Sequence, residues 1–438
     1  MDLLDAKTRD YDWGTSDAIA ELQGRPVPAP VPEAELWMGA HPTAPSGVRR
    51  LPASASAASA SAASASAASA SAASVTPPAP LAPSVTLDTV IAADPQGELG
   101  PEVTARFGGR LPFLLKVLSA ARALSIQVHP SRAQAEAGYA AEEERQVPRD
   151  APDRNYVDDW PKPELLYALT PFEVAAGLRT PADASALLQA LDVDELKPLA
   201  AGLTDLGAAL ATVLRWREPA PLVASVVAAC QRLAEAGGPY ADACAAAVRV
   251  AAERPGDIGV VALLLMRHAV LQPGQAMFMP AGGLHAYLRG SGIELLANSD
   301  NVVRSGLTSK HIDVPELLKL VDPAVEVPIL APRVLPDGIT WFDTPVPEFR
   351  LHVIELTGPE LALPGAAPAL PGASAVALPG ASPRILLCLG GSCTLRAATG
   401  QELTLTRGGS CFIPFADGPV HAAGHARLIQ ATPGAPTP

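Results

Sequence analysis

The chain has 438 residues, of which 48% are hydrophobic and 18% charged, with a formal net charge of −13. That length allows two or three domains with ample core material. The acidic balance excludes a protein that coats nucleic acid or an anionic membrane through its overall field, so cations that bind an anionic ligand must be locally concentrated. The start, MDLLDAKTRD, has no apolar segment of the kind a secretory signal carries, and the longest clean apolar run, Gly259 to Met266, is too short for a membrane span. Cys230, Cys244, Cys388, Cys393 and Cys411 are odd in number and form no C-x-x-C pair. Reduced, buried thiols in a cytoplasmic protein are the expectation, for Cys388 and Cys393 as well.

Residues 1–50 are Pro-rich, with aromatic landmarks at Tyr11-Asp12-Trp13-Gly14 and in ELWMGAHP, and read as short strands joined by turns. A Ser-Ala tract follows. It carries no large apolar side chain to bury, and 53–84 is expected to be a disordered loop insertion. LPFLLKVLS and LSIQVHP read as strands. In the second, Ser125, Gln127 and His129 share one face, while Ile126 and Val128 face the core. Residues 131–146 are helix-prone. Pro161 and Pro163 bracket Lys162 and hold the backbone extended into Glu164.

From Thr180 the texture changes. Thr180 suits an N-cap, Pro181 the first helical position, and Asp183 the first turn. Four or five helices are predicted to about Arg254, broken at Glu218-Pro219 and Gly237-Gly238-Pro239, with a further short helix over 256–266. Strands return near Ala269. Next comes the chemically densest stretch, Gly274 to Lys310, predicted as a strand pair with a Gly-Ser-Gly turn at 290–292. After Val321 the chain is rich in Pro, Leu and Val and reads as a second all-β unit.

Gln127, His129, Glu164 and His285 are candidate metal ligands: two imidazoles, a carboxylate and an amide oxygen suit zinc with open positions. Their spacing supports this weakly, because they come from three distant segments. Each taken alone reads more readily as an ordinary histidine or a surface carboxylate. Trp13 and Trp37 read as packing residues and Tyr287 as able to face either way. His41 reads as structural, in a turn before Pro42. His268, His311, His352, His421 and His425 have no second ligand at useful spacing.

The pattern Gly274, Pro280, Gly282, His285 resembles the second motif of the cupin superfamily, in which the His is a metal ligand; the Asn usual four residues later is Arg289 here. YDWG, ELWMGAHP, LPFLLKVLS, LSIQVHP, KPELLYALTPFE, PAGGLHAYLRG and IELLANSDNVVRSGLTSKHID together resemble the type I mannose-6-phosphate isomerases. They occur in that family's order over roughly residues 8–322, outside the Ser-Ala tract.

The resemblance implies a mainly β fold. A cupin-type double-stranded β-helix (jelly roll) catalytic domain would span 1–179 and 267–325. An all-α insert would span 180–266, and a second, degenerate jelly roll without metal 326–438, where Gly408 and Pro414 echo the cupin spacing without its ligand His. It further implies one zinc ion per chain on Gln127, His129, Glu164 and His285, and Arg304 as the active-site arginine. Lys116, Ser125, Lys162 and Lys310 match residues associated with substrate or phosphate, and Tyr287 is placed beside them. Glu294 and Asp300 match groups proposed for proton handling. The expected activity interconverts mannose 6-phosphate and fructose 6-phosphate through a cis-enediol and feeds GDP-mannose metabolism, in a cytoplasmic monomer without nucleic-acid or membrane partners. Many members carry a His before KPE, and here that residue is Pro161. The base is therefore sought among Lys162, Glu294 and Asp300, with no choice among them. Two rivals are a non-catalytic cupin that binds a sugar phosphate or regulates transcription, and a cupin iron oxygenase. Intact ligands with Arg304 disfavour the first, and the cation cluster disfavours the second.

Overall fold

The computed structural model describes residues 1–50, 85–335, 337–358, 375–380 and 382–435. The expectation for 53–84 lies outside the described residues. The fold is mainly β, as expected, and its strands form two 11-stranded antiparallel sheets. No described helix is long and apolar enough to cross a membrane.

The first sheet is centred on the strand His285–Ala297, flanked by Phe113–Ala120 and Glu164–Ala168. Its other half pairs with Ile126–Val128 and Phe172–Leu178. The predicted strand pair is thus one 13-residue strand. The Gly-Ser-Gly segment is a bend within it, not a turn. Gly290 has φ +133°, and a Cβ there would lie 2.8 Å from Phe172 Cα. Glycine lets the strand cross that backbone and change the face it presents. Before the bend His285 and Tyr287 face inward; after it Glu294 does, while Ile293 and Leu295 join the apolar layer behind.

That layer is shared by the two sheets. Leu115, Val117, Ile293 and Leu295 from the first pack with Leu351, Ile385, Phe412 and Ile429 of the second. Burial of each such side chain stabilises the fold by about 1.5–3 kcal/mol.

Pro181–Leu191, Lys197–Ala201, Leu206–Leu214, Pro219–Ala236, Ala241–Glu253 and Gly259–Leu264 are helices. Thr180 caps the first, accepting the Asp183 N–H at 3.2 Å, and Pro181 fills its first turn. Leu187, Leu210, Val226 and Val250 pack in one cluster with Ile126, Val128, Ala286 and Leu288. The helices therefore back the strands that carry Gln127 and His285.

Two features differ from expectation. Leu87–Ala93, Pro95–Leu99 and Pro101–Phe107 are short helices that were not predicted. Their signal was present: Asp94 caps the Gly97 N–H at 3.0 Å, with Pro95 next to it. A pairing between the two ends of the sequence was not predicted either. The strand Asp2–Asp5 pairs with Ser410–Ile413 and with Gly47–Arg50, so these two strands belong to the second sheet, while Lys7–Arg9 and Glu35–Met38 join the first. The expected unit 1–179 contributes strands to both sheets. Its first strand completes the C-terminal one, because edge strands pair wherever a free edge and an apolar face coincide.

Candidate active site

Three segments bring His129, Glu164 and His285 together, each almost fully buried. Their potential ligand atoms all lie within 4.8 Å of one another. His129 ends the segment after Ile126–Val128, Glu164 opens its strand after Pro163, and His285 opens the central strand. Gln127 is the direct partner of His285 on one side and of Arg304 on the other. Directly paired residues share a sheet face, so His285, Gln127 and Arg304 form one row.

The histidine tautomers follow from their partners. His129 Nδ1 donates to the Asn301 carbonyl at 2.7 Å, and His285 Nδ1 donates to the Gly283 carbonyl at 3.0 Å. Each Nε2 then carries a lone pair. The two Nε2 atoms lie 3.2 and 3.3 Å from the Glu164 carboxylate, yet both are buried without a hydrogen-bond partner. Lone pairs facing a carboxylate at that range repel, and a cation among them converts the repulsion into coordination. Two imidazoles with their outer nitrogens fixed by backbone carbonyls, plus a carboxylate, fit zinc. Burial pushes the His129 imidazole down to about 4. Burial opposes the Glu164 charge too, but His129 and Lys162 outweigh it and hold the carboxyl well below its usual range.

Lys162 Nζ lies 3.3 Å from Glu164 Oε1, and the buried Tyr287 hydroxyl donates to Glu164 Oε2 at 3.4 Å. Tyr287 thus braces a candidate ligand. Beside them, Lys116 Nζ lies 3.1 Å from Glu294 Oε2 and 3.5 Å from Glu35 Oε1, and 4.7 Å from the Trp37 ring centre. Burial works against the Lys116 charge, but Glu35, Glu294 and Glu164 overcome it and raise its pKa. Burial raises the Glu294 pKa, against the pull of Lys116. Burial also favours neutral Asp300, but His41 outweighs it and holds Asp300 below its usual value. These opposite directions separate two carboxylates that the sequence left equivalent.

Arg304 and Lys310 make no ion pair among the described residues. Burial lowers the pKa of both, and Asp300 opposes that in each. Lys310 is exposed, and Ser125 sits two residues before Gln127 in the segment leading to its strand. Neither makes a side-chain contact with the His129–Glu164–His285 group among the described residues.

Sequence reasoning missed His41 and Asn301. His41 was expected to be structural, but its Nε2 lies 3.3 Å from Asp300 Oδ1. The available signal was only that His41 lies in ELWMGAHP, one of the segments that carry the family resemblance. Asn301 is fully buried. Its Oδ1 accepts the Val157 and Asp158 N–H groups at 2.8 and 3.2 Å, and its Nδ2 donates to the Asp158 and Trp160 carbonyls at 2.8 and 2.9 Å. It ties the loop leading to Lys162 and Glu164 to the carbonyl that orients His129.

The family model "Phosphomannose isomerase type I, catalytic domain" matches residues 1–78 and 75–181. Mannose-6-phosphate isomerase of Escherichia coli is 35% identical, over 98% of this chain and 99% of its own length. The Bos taurus mannose-6-phosphate isomerase is 31% identical, over 94% of this chain and 92% of its own. A variant of phosphomannose isomerase from Salmonella typhimurium superposes with a TM-score of 0.81 at 31% identity, covering 99% of each chain. A zinc-bound mannose 6-phosphate isomerase superposes with a TM-score of 0.80 at 32% identity, again over 99% of each chain. Likeness of this extent in both sequence and structure places the chain in the type I mannose-6-phosphate isomerase family.

Proposed function

We propose that the chain interconverts mannose 6-phosphate and fructose 6-phosphate with one zinc ion. The observation that carries this reading is the pair of orphaned Nε2 atoms around Glu164, set beside two cations that have no ion-pair partner among the described residues. His129, Glu164 and His285, with Gln127 from the same sheet face, would hold the metal, which supplies Lewis-acid polarisation of the oxygens on C1 and C2. The chain's own groups do the rest. Isomerisation moves a proton from C2 to C1 through a cis-enediol, so a base must take the proton and return it one carbon away. Glu294 suits that role best, because burial lifts its proton affinity toward the working range. Lys116, 3.1 Å away, keeps its ionised form accessible. Asp300, held low, acts as a fixed negative charge. Lys162 lies beside Glu164, where its ammonium can stabilise oxygen charge as it develops. Arg304 and Lys310 suit the phosphate dianion, Arg304 through its planar fork of donors. Ser125, on the Gln127 face of its segment, can add a hydroxyl donor.

The same reading assigns the chemistry to 1–179 and 267–325, the helices 180–266 to support of that unit, and 326–438 to a non-catalytic jelly roll. The acidic charge supports a chain without nucleic-acid or anionic-membrane partners, and the same reading makes it a cytoplasmic monomer that acts on a free sugar phosphate and supplies GDP-mannose synthesis. The test is a coupled assay for fructose 6-phosphate on zinc-loaded and chelated protein. Turnover with zinc and its loss after chelation are expected. A zinc-loaded protein that does not turn over mannose 6-phosphate would overturn the reading.

A further inference from the structure

Asp300 lies within electrostatic reach of Arg304, Lys310 and Lys162, yet it forms an ion pair with none of them among the described residues. A partly exposed carboxylate beside a guanidinium would ordinarily swing onto it and form a two-pronged pair. Two contacts hold it elsewhere. Asp158 Oδ2 accepts the Asp300 backbone N–H at 2.9 Å. His41 presents Nε2 to Asp300 Oδ1 at 3.3 Å, a length that makes the contact mainly electrostatic.

The orientation of His41 is itself fixed. The Thr43 backbone N–H donates to His41 Nδ1 at 3.3 Å, and the Thr43 hydroxyl lies 2.9 Å from the same atom. Nδ1 is therefore the acceptor, and the ring proton sits on Nε2, facing Asp300. Trp37 meets the ring edge-on, with centroids 4.9 Å apart, and the His41 side chain is only 3% exposed. An imidazole so confined has little freedom to turn away.

We propose that His41 is a positioning residue that keeps Asp300 off Arg304 and Lys310, so that these cations stay free for the anionic end of the substrate. His41 acts through Asp300 and need not touch substrate. The inference rests on the proposed activity only in naming that substrate. The retention of free cations is a property of the protein and is read with inorganic phosphate.

The test compares wild type with His41→Ala, His41→Gln, Asp300→Asn and the His41→Ala/Asp300→Asn double variant. Each is checked for zinc content and thermal midpoint. Phosphate affinity is measured by calorimetry, and KM and kcat for mannose 6-phosphate by the coupled assay. His41→Ala is expected to weaken phosphate binding and raise KM by about five-fold or more, as Asp300 closes onto Arg304. His41→Gln, which keeps an N–H donor, should stay within about two-fold of wild type. In the double variant the affinity should return to that of Asp300→Asn, because the competing carboxylate is gone. An unchanged phosphate affinity in folded, zinc-replete His41→Ala would overturn the proposal. So would a double variant as weak as His41→Ala alone. Absent turnover in wild type would sink the activity but leave the phosphate result readable. If His41→Ala does not fold, Asp300→Asn and His41→Gln still decide: a defect in His41→Gln that persists when combined with Asp300→Asn would refute it.

Discussion

The two sheets share a backbone device and differ in what they enclose. Each contains a long strand bent at a glycine: Gly290 at φ +133° in the first and Gly424 at φ +134° in the second. In each a Cβ would strike a neighbouring strand, 2.8 Å from Phe172 Cα in the first and 2.6 Å from the Ser392 carbonyl oxygen in the second. Inside the first sheet the chain places Lys116, His129, Glu164, His285 and Glu294, all buried. The second sheet instead encloses Leu386, Cys388, Cys393, Leu395, Leu405, Cys411 and Leu428. Buried charges cost free energy unless paired, while buried leucines supply it. The molecule thus separates chemistry from stability across a common architecture, and the shared apolar layer couples the two.

This division can be broken from either side. The largest effect is expected from Glu164→Gln, which removes the charge between His129 and His285. Zinc content should fall well below one per chain and turnover by roughly three orders of magnitude, as read by metal analysis and the coupled assay, with the protein still folded. Full zinc occupancy and near-normal turnover would show that the carboxylate is not a ligand. In the second sheet, Leu428→Ala should cost about 2–5 kcal/mol in urea unfolding through its cavity, with zinc content and KM unchanged. A parallel loss of zinc would show that the sheets are less independent than their interiors suggest.

A smaller effect concerns pH. Burial, with help from Arg350, pushes the His352 imidazole down to about 4, while its unfolded value is near 6.5. Above about pH 6.5 neither state binds the proton, so His352 adds no pH dependence. Below it the unfolded chain takes up a proton that the folded chain refuses, so stability falls with pH until about pH 4. Across that window the loss is at most about 3 kcal/mol. His352→Gln should flatten the slope of unfolding free energy against pH in that window. An unchanged slope would assign the acid sensitivity elsewhere.

Local physics made part of this legible. The Thr180-Pro181 cap, the alternation around Gln127 and the proline-bracketed Glu164 each rest on a few neighbouring residues, and the structure places them as those residues dictate. Family motifs supplied the candidate ligand set that spacing could not. What stayed hidden depends on distant segments meeting. His41 looked structural because Asp300 lies far along the chain. Glu294 and Asp300 looked alike because only burial and His41 separate them. The bend at Gly290 read as a turn because its reason, the approach to Phe172, is tertiary. The N-terminal strand gave no sign that its partner was Ser410–Ile413.

That last pairing has a consequence in time. Synthesis releases Asp2–Asp5 long before its partner Ser410–Ile413. The strands that carry the candidate site, His285–Ala297 among them, are complete well before that. The second sheet must therefore close across a very long loop, which is a slow step. Until then the opening strand is a bare edge. The apolar half of the molecule, which holds the fold together, is also the half that closes after the strands of the candidate site have emerged.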